Sequence, residues 1–176
     1  VMRHVLCRVT VMIPASCTTF YLELPAPRED LAPALPPRMV VDEVTPPDWR
    51  LNRRLYHLVG DGWQWEDLDE ATDEEWQKRI ADPTLRTWTA TVGDTLVGYF
   101  ELHRPDHVTT EIRYLGLCPG WTDQKLGGPL LGEALRKAWG WPGTRRVWVH
   151  TCTLDHPSAL ANYQARGMVL YHQVEC

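Results

Sequence analysis

The sequence predicts a mixed α/β (α+β) fold, a single sheet with helices on its faces. Three observations carry this. A hairpin sits mid-chain, where Thr87–Thr91 and Thr95–Leu102 flank a Gly93–Asp94 turn. A strand, Thr109–Leu117, runs through a glycine-bearing loop into a helix over Leu126–Trp139. The last part of the chain reads strand, short helix, strand from Arg146 to Val174.

Taken in order, Thr18–Leu24 is a strand rich in β-branched and aromatic residues. Pro25, Pro27, Pro33, Pro36 and Pro37 then exclude a helix or an inner strand. Met39–Val44 is a short strand. Asp48 caps a helix over Trp49–Val59, whose Leu51, Leu55, Tyr56 and Leu58 suit one buried face. Gly60-Asp-Gly62 ends it. Thr72 and Glu75 form a capping box for a helix that reaches Ile80 and stops near Asp82-Pro83. In the helix after the glycine loop, Leu131, Leu135 and Trp139 recur every four residues as a stripe for the sheet. Ser158–Ala165 is a short helix closed by Gly167, and Met168–Val174 is the last strand. Residues 1–37 are an N-terminal extension with the first strand. Residues 38–176 are the core, in a single domain overall.

The 176 residues suffice for one domain with a substantial core, and 44% hydrophobic with 23% charged residues is a globular composition. A net charge of -5 argues against a nucleic-acid surface. The nine tryptophans do not reverse this, because no basic aromatic stripe accompanies them. No apolar stretch reaches the roughly 18 residues of a membrane helix. Residues 1–13, with Arg3, His4 and Arg8, lack the apolar core and cleavage site of a secretion signal. A leader, an added strand and an overcalled start all remain open for them. The five cysteines are odd in number and hold no CxxC pair, so they read as thiols of a reducing cytoplasm, not a disulfide framework or a zinc cluster. The histidines show no metal-ligand motif.

Glu111-Ile-Arg-Tyr-Leu-Gly-Leu-Cys-Pro119 is a strand running into a turn, and Gln124-Lys-Leu-Gly-Gly128 opens a helix. Such a junction can cradle a phosphate on backbone amides and the helix dipole. A second segment, Asp155-His-Pro-Ser-Ala-Leu-Ala-Asn-Tyr-Gln-Ala-Arg-Gly167, brings a tyrosine on another helix. The order suggests a nucleotide-tailed cofactor and a proton donor in one cleft.

These two motifs, in this order, resemble the GCN5-related N-acetyltransferase (GNAT) superfamily over about residues 38–176. The resemblance is sharpest from Glu111 to Gly167. It implies an acyl-CoA N-acyltransferase fold with a splayed central sheet that admits acetyl-CoA. The loop departs from the family pattern. Thr122 stands where a basic residue or glutamine is usual, and Asp123 and Lys125 where glycine is frequent. Asp155-His156-Pro157, Ala159, Tyr163 and Gly167-Met168 follow the second pattern, with His156 for asparagine and Met168 for phenylalanine.

By that resemblance, backbone amides at Leu115, Gly116 and Leu117 hold the pantetheine arm or polarise the thioester. Those of Gln124, Lys125, Leu126, Gly127 and Gly128 hold the pyrophosphate, with the glycine at 127 the constrained one. Acetyl transfer needs a neutral amine, stabilisation of the developing oxyanion, a proton for the thiolate and aligned reactants. Tyr163 is the expected general acid and also a cofactor contact. Glu111 is the leading general base, directly or through water, with Glu101 its rival. Cys118 lies near the expected acetyl position, but direct transfer in a ternary complex is the expected route. His150 is a base, a substrate contact or a packed histidine.

The acceptor is expected at Tyr56–Trp76, where Trp63, Trp65 and Trp76 are interleaved with acids that include Asp61, Glu66, Asp67 and Asp69. Tryptophan beside carboxylates favours an organic ammonium. Trp63, Trp65, Glu66 and His150 are the expected contacts to a small primary amine, polyamine-like or aminoglycoside-like. A peptide N-terminus, another acceptor, or a non-catalytic CoA-binding role are the alternatives. Similar proteins carry a further C-terminal strand. Its absence leaves an edge for the N-terminal segment or a partner subunit to complete, so a homodimer is expected.

Overall fold

The computed structural model describes residues 17–30, 33–63 and 65–175. Seven strands form one sheet: β1 Thr18–Leu24, β2 Met39–Glu43, β3 Leu85–Val92, β4 Thr95–His103, β5 Thr109–Leu117, β6 Arg146–Cys152 and β7 Val169–Glu175. The helices are α1 Trp49–Gly60, α2 Asp73–Ile80, α3 Gly127–Gly140 and α4 Ala159–Ala165. The expected mixed fold is present, and each predicted element appears within a few residues of its expected bounds. The local signals act as expected. The Asp48 carboxylate accepts from the amides of Arg50 and Leu51 at 3.0 and 3.2 Å. Thr72 and Glu75 cap α2 reciprocally, at 3.2 and 2.7 Å.

Strand order is β2-β3-β4-β5-β6-β1-β7. All neighbours are antiparallel except β5 and β6. The N-terminal strand β1 is therefore an inner strand, inserted between β6 and β7. β7, exposed along its length, is the edge beyond it, so β1 does not cover the edge of the last strand.

Each face of the sheet buries its own core. On one side, Leu130, Leu131, Ala134, Leu135 and Ala138 of α3 pack on Leu22, Phe100, Leu102, Ile112, Val147 and Val149. On the other, Leu55, Tyr56 and Val59 of α1 and Trp76 and Ile80 of α2 pack on Leu85, Tyr99 and Tyr114. Burial of such side chains stabilises by about 1.5–3 kcal/mol each, before the entropy of ordering them is charged.

A polar lock ties the second layer to the sheet. Glu101 on β4, with a side chain 1% exposed, pairs with Arg79 of α2 at 2.5 Å. Asn52 of α1 donates to both Glu101 and Thr87, each at 2.7 Å. This removes Glu101 as the rival base: its carboxylate is spent holding α1 and α2 on the sheet.

Among the described residues no helix is long and apolar enough to cross a membrane, and no group of acids, histidines and cysteines could hold a metal. Cys118 and Cys152 are free thiols. Cys17 is disulfide-bonded, which departs from the expectation of thiols throughout.

Candidate active site

β5 and β6 pair in parallel only at Thr109–Arg146, Thr110–Val147 and Glu111–Trp148. Past that point β5 continues to Leu117 and β6 to Cys152 without pairing. The strands part, and the wedge between them opens into a cleft of about 1000 Å³. Unpaired strand edges are costly unless something satisfies them. A cleft walled by bare backbone suits a ligand rich in amide groups.

One end of the cleft is lined by Thr122, Asp123, Lys125, Gly127 and Gly128. The first intrahelical bond here runs from Leu130 N to Leu126 O at 3.0 Å, so the amides of Gly127 and Gly128 have no partner earlier in α3. Pro129 has no amide to place. Two expected loop residues lie elsewhere. Gln124 turns its amide back onto the Gly120 carbonyl at 3.0 Å, and the Leu126 side chain is buried in the core. Neither lines the cleft, and the Gln124 backbone amide donates to the Trp121 carbonyl at 3.4 Å.

The glycines differ in what surrounds them. A Cβ at Gly127 would meet nothing closer than Asn162 Nδ2 at 3.7 Å, so packing does not require glycine there. A requirement at 127 would come from whatever fills the cleft. A Cβ at Gly116 would sit 2.4 Å from Val59 Cγ1. That glycine lets α1 approach β5, while Leu115, Gly116 and Leu117 all line the cleft. Lys125 adopts φ 59°, a left-handed conformation that suits glycine. The turn needs the backbone geometry of glycine, and the chain instead puts a cation there. Bare amides with one lysine at the start of α3 fit a pyrophosphate.

Tyr163 lines the cleft from α4. Burial, with the Asp155 carboxylate nearby, raises its phenol far above the ordinary value. The phenol is therefore protonated at working pH, able to donate and not to abstract. Cys118 does not line the cleft, and burial raises its thiol, which disfavours a nucleophilic thiolate.

Glu111 is the last paired residue of β5 before the splay, and its side chain is 5% exposed. It is not among the cleft-lining residues, whereas His150 and Arg113 are. Arg113 Nη1 lies 3.3 Å from one carboxylate oxygen, and the Nδ1 atoms of His150 and His103 lie 3.6 Å from the two oxygens. Burial pushes the Glu111 carboxyl up, but His150 and Arg113 outweigh it, leaving it below its ordinary value.

The segment after α1 also lines the cleft. Trp65 lies against Tyr114 and Tyr56, with ring centroids 5.0 and 5.8 Å apart, and a Cβ at Gly60 would strike it at 2.6 Å. Its indole N–H donates to Asp155 at 3.3 Å. Asp155 also accepts from Thr151 Oγ1 at 2.6 Å and Cys152 N at 2.9 Å, so one carboxylate joins this segment to the β6–α4 turn. Trp63 meets His156 edge-on at 4.9 Å. Asp67 accepts from the hydroxyls of Tyr56, at 3.0 Å, and Tyr114. Trp63, Trp65, Glu66 and Asp67 line the cleft; Trp76 does not, being a 1% exposed core residue. Sequence reasoning missed Tyr114, Arg113, Asp155 and Asn162. The alternation of β5 put Arg113 on the face of Glu111, which was a usable signal. The reach of Asp155 to Trp65, ninety residues away, left none.

The acetyltransferase (GNAT) family matches this chain over residues 52–168. No curated protein sequence matches it. Among solved structures, it resembles a GCN5-related N-acetyltransferase from Sphaerobacter thermophilus (16% identity, TM-score 0.69, covering 91% of this chain and 50% of that one). It also resembles one from Kribbella flavida (16%, TM-score 0.64, covering 90% and 56%). This chain thus spans about half the length of those two proteins. A third is the spermidine N-acetyltransferase from Vibrio cholerae, solved with CoA and spermine (19%, TM-score 0.58, covering 77% and 83%). At such identities these likenesses speak for the fold alone. With the splayed β5–β6 pair and the family match over two-thirds of its length, the chain belongs to the acetyltransferase (GNAT) family.

Proposed function

We propose that this protein is an acetyl-CoA-dependent N-acetyltransferase acting on a small, cationic primary amine in a ternary complex. The observation that carries the reading is one cleft with two unlike sets of lining residues. Tyr163 and the first residues of α3 line it together with Trp63, Trp65, Glu66 and Asp67. When bound, acetyl-CoA supplies an activated acetyl thioester. Lys125 and the amides of Gly127 and Gly128 bind its pyrophosphate. The free backbone edge at Leu115 and Leu117 orients the pantetheine arm. The protonated phenol of Tyr163 donates to the departing sulfur, and the Glu111–His150 pair serves the base step.

The acceptor class follows from charge. Glu66, Asp67 and Asp155 face the cleft, and the one arginine among its lining residues, Arg113, is held by Glu111 at 3.3 Å with Asp67 at 4.0 Å. Tryptophan faces and carboxylates attract an ammonium, by about 0.5–2 kcal/mol per cation–π contact. The spermidine enzyme among the structural relatives is compatible with this class. A homodimer belongs to the same proposal, on the exposed edge strand β7. Light scattering that shows only monomer at high concentration refutes that part.

The test is CoA release from acetyl-CoA with a panel of amines graded by charge, with Tyr163→Phe alongside. Release that needs an amine, rises with its positive charge and falls about 100-fold or more in the variant supports the reading. Equal rates across the panel refute the cationic acceptor. Acetyl-CoA binding without turnover on any amine refutes the enzyme and favours a binding module.

A further inference from the structure

We propose that His150, and not Glu111 itself, takes the proton from the acceptor amine, and that Glu111 is the residue that positions it. The inference rests on the reading of the cleft as an acetyl-transfer site.

Glu111 sits beneath the apex of the wedge, with a 5% exposed side chain and no place on the cleft wall. His150 stands on β6 just beyond the last β5–β6 pair, lines the cleft and has a 41% exposed side chain. Its Nδ1 is the atom that faces Glu111, at 3.6 Å. A neutral imidazole carries one proton, and the charge of a carboxylate nearest Nδ1 favours the tautomer that keeps it there. The lone pair then belongs to Nε2, the nitrogen left for the cleft. The ring is flanked by Tyr21 and Trp148, with centroids at 5.9 and 6.0 Å. These contacts limit its rotation.

The charged and titratable groups around His150 favour this division of roles. From β5 come Glu111 and Arg113, and from β4 His103, 3.6 Å from the other Glu111 oxygen. From β1 comes Tyr21, with His172 of β7 behind it at 5.4 Å. From the loop after α1, Asp67 lies 4.0 Å from Arg113. A carboxylate surrounded by one arginine and two histidines is a poor proton acceptor. It is well placed to stabilise a neighbouring imidazolium.

The protons balance. His150 Nε2 takes one proton from the ammonium and passes it to solvent. The freed amine forms the C–N bond as the thioester C–S bond breaks. Tyr163 gives its proton to the departing sulfur, and the second proton lost by the nitrogen restores Tyr163. The net products are an amide, a thiol and one released proton.

Two measurements test this. In ¹⁵N NMR of the unliganded native protein, His150 at high pH should show a protonated Nδ1 and a bare Nε2. A protonated Nε2 overturns the proposal whatever the activity. In kinetics with an amine that the native protein acetylates, His150→Gln should lower kcat about 100-fold. It should also abolish the acid limb of the pH–rate profile and leave the KM for acetyl-CoA within twofold. Glu111→Gln should lower kcat about 10-fold and relax the tautomer preference. Tyr163→Phe should keep the acid limb. If the native enzyme is active and His150→Gln retains both rate and acid limb, His150 is not the base while the acetyltransferase reading stands. If no amine is acetylated, that reading fails and the base assignment falls with it.

Discussion

Replacing Glu101 by glutamine separates a structural carboxylate from a catalytic one. Glu101 is 1% exposed at its side chain and Arg79 is 18% exposed, and they meet at 2.5 Å. The glutamine fills the same volume and can still accept from Asn52. It also turns an N–H₂ group toward a guanidinium that has lost its counter-charge. Breaking one side of such a pair costs about 3–5 kcal/mol, because the remaining charge stays buried and unpaired. In urea, with a slope of about 2 kcal/mol/M for a domain of this size, the midpoint should fall by about 1.5–2.5 M. Heating should show a loss of about 10 °C or more. Because Glu101 does not line the cleft, the folded variant should keep kcat within about threefold of the native enzyme at low temperature. A variant with unchanged urea midpoint and a hundredfold loss of kcat would refute the reasoning and restore Glu101 as the base.

Three further outcomes follow from the same contacts. Gly116→Ala places a Cβ 2.4 Å from Val59 Cγ1 and should destabilise by about 1–3 kcal/mol in urea unfolding, with recovery when Val59→Ala is added. Lys125→Gly relieves a left-handed non-glycine residue and should be neutral to about 1 kcal/mol stabilising. The same change should raise the KM for acetyl-CoA by removing the lysine at the start of α3. The lowered Glu111 carboxyl contributes stability that is fully present above its unfolded value, near 4.5, and is lost as pH falls through the lower folded value. Glu111→Gln should therefore flatten the acid side of the stability–pH curve below about pH 4.5 and leave its alkaline side alone.

The sequence by itself determined the elements and their ends. The Asp48 cap, the Thr72–Glu75 box, the Gly93–Asp94 turn and the Leu131–Leu135 stripe each act over a few residues, so their physics is complete in the local chain. It also marked Tyr163, Trp63, Trp65, Glu66 and the Gly127–Gly128 loop, which do line one cleft. The tertiary structure decided what depends on partners far along the chain. Glu101 and Glu111 look alike as strand carboxylates, yet Arg79 and Asn52 lock the first, while His103, Arg113 and His150 gather around the second. Trp76 reads like Trp63 and Trp65, but the face of α2 buries it. The insertion of β1 between β6 and β7, and the parting of β5 from β6 after Glu111, are properties of strand pairing. A strand carries its alternation in its own residues, but its neighbour is chosen by free energy summed over the whole sheet.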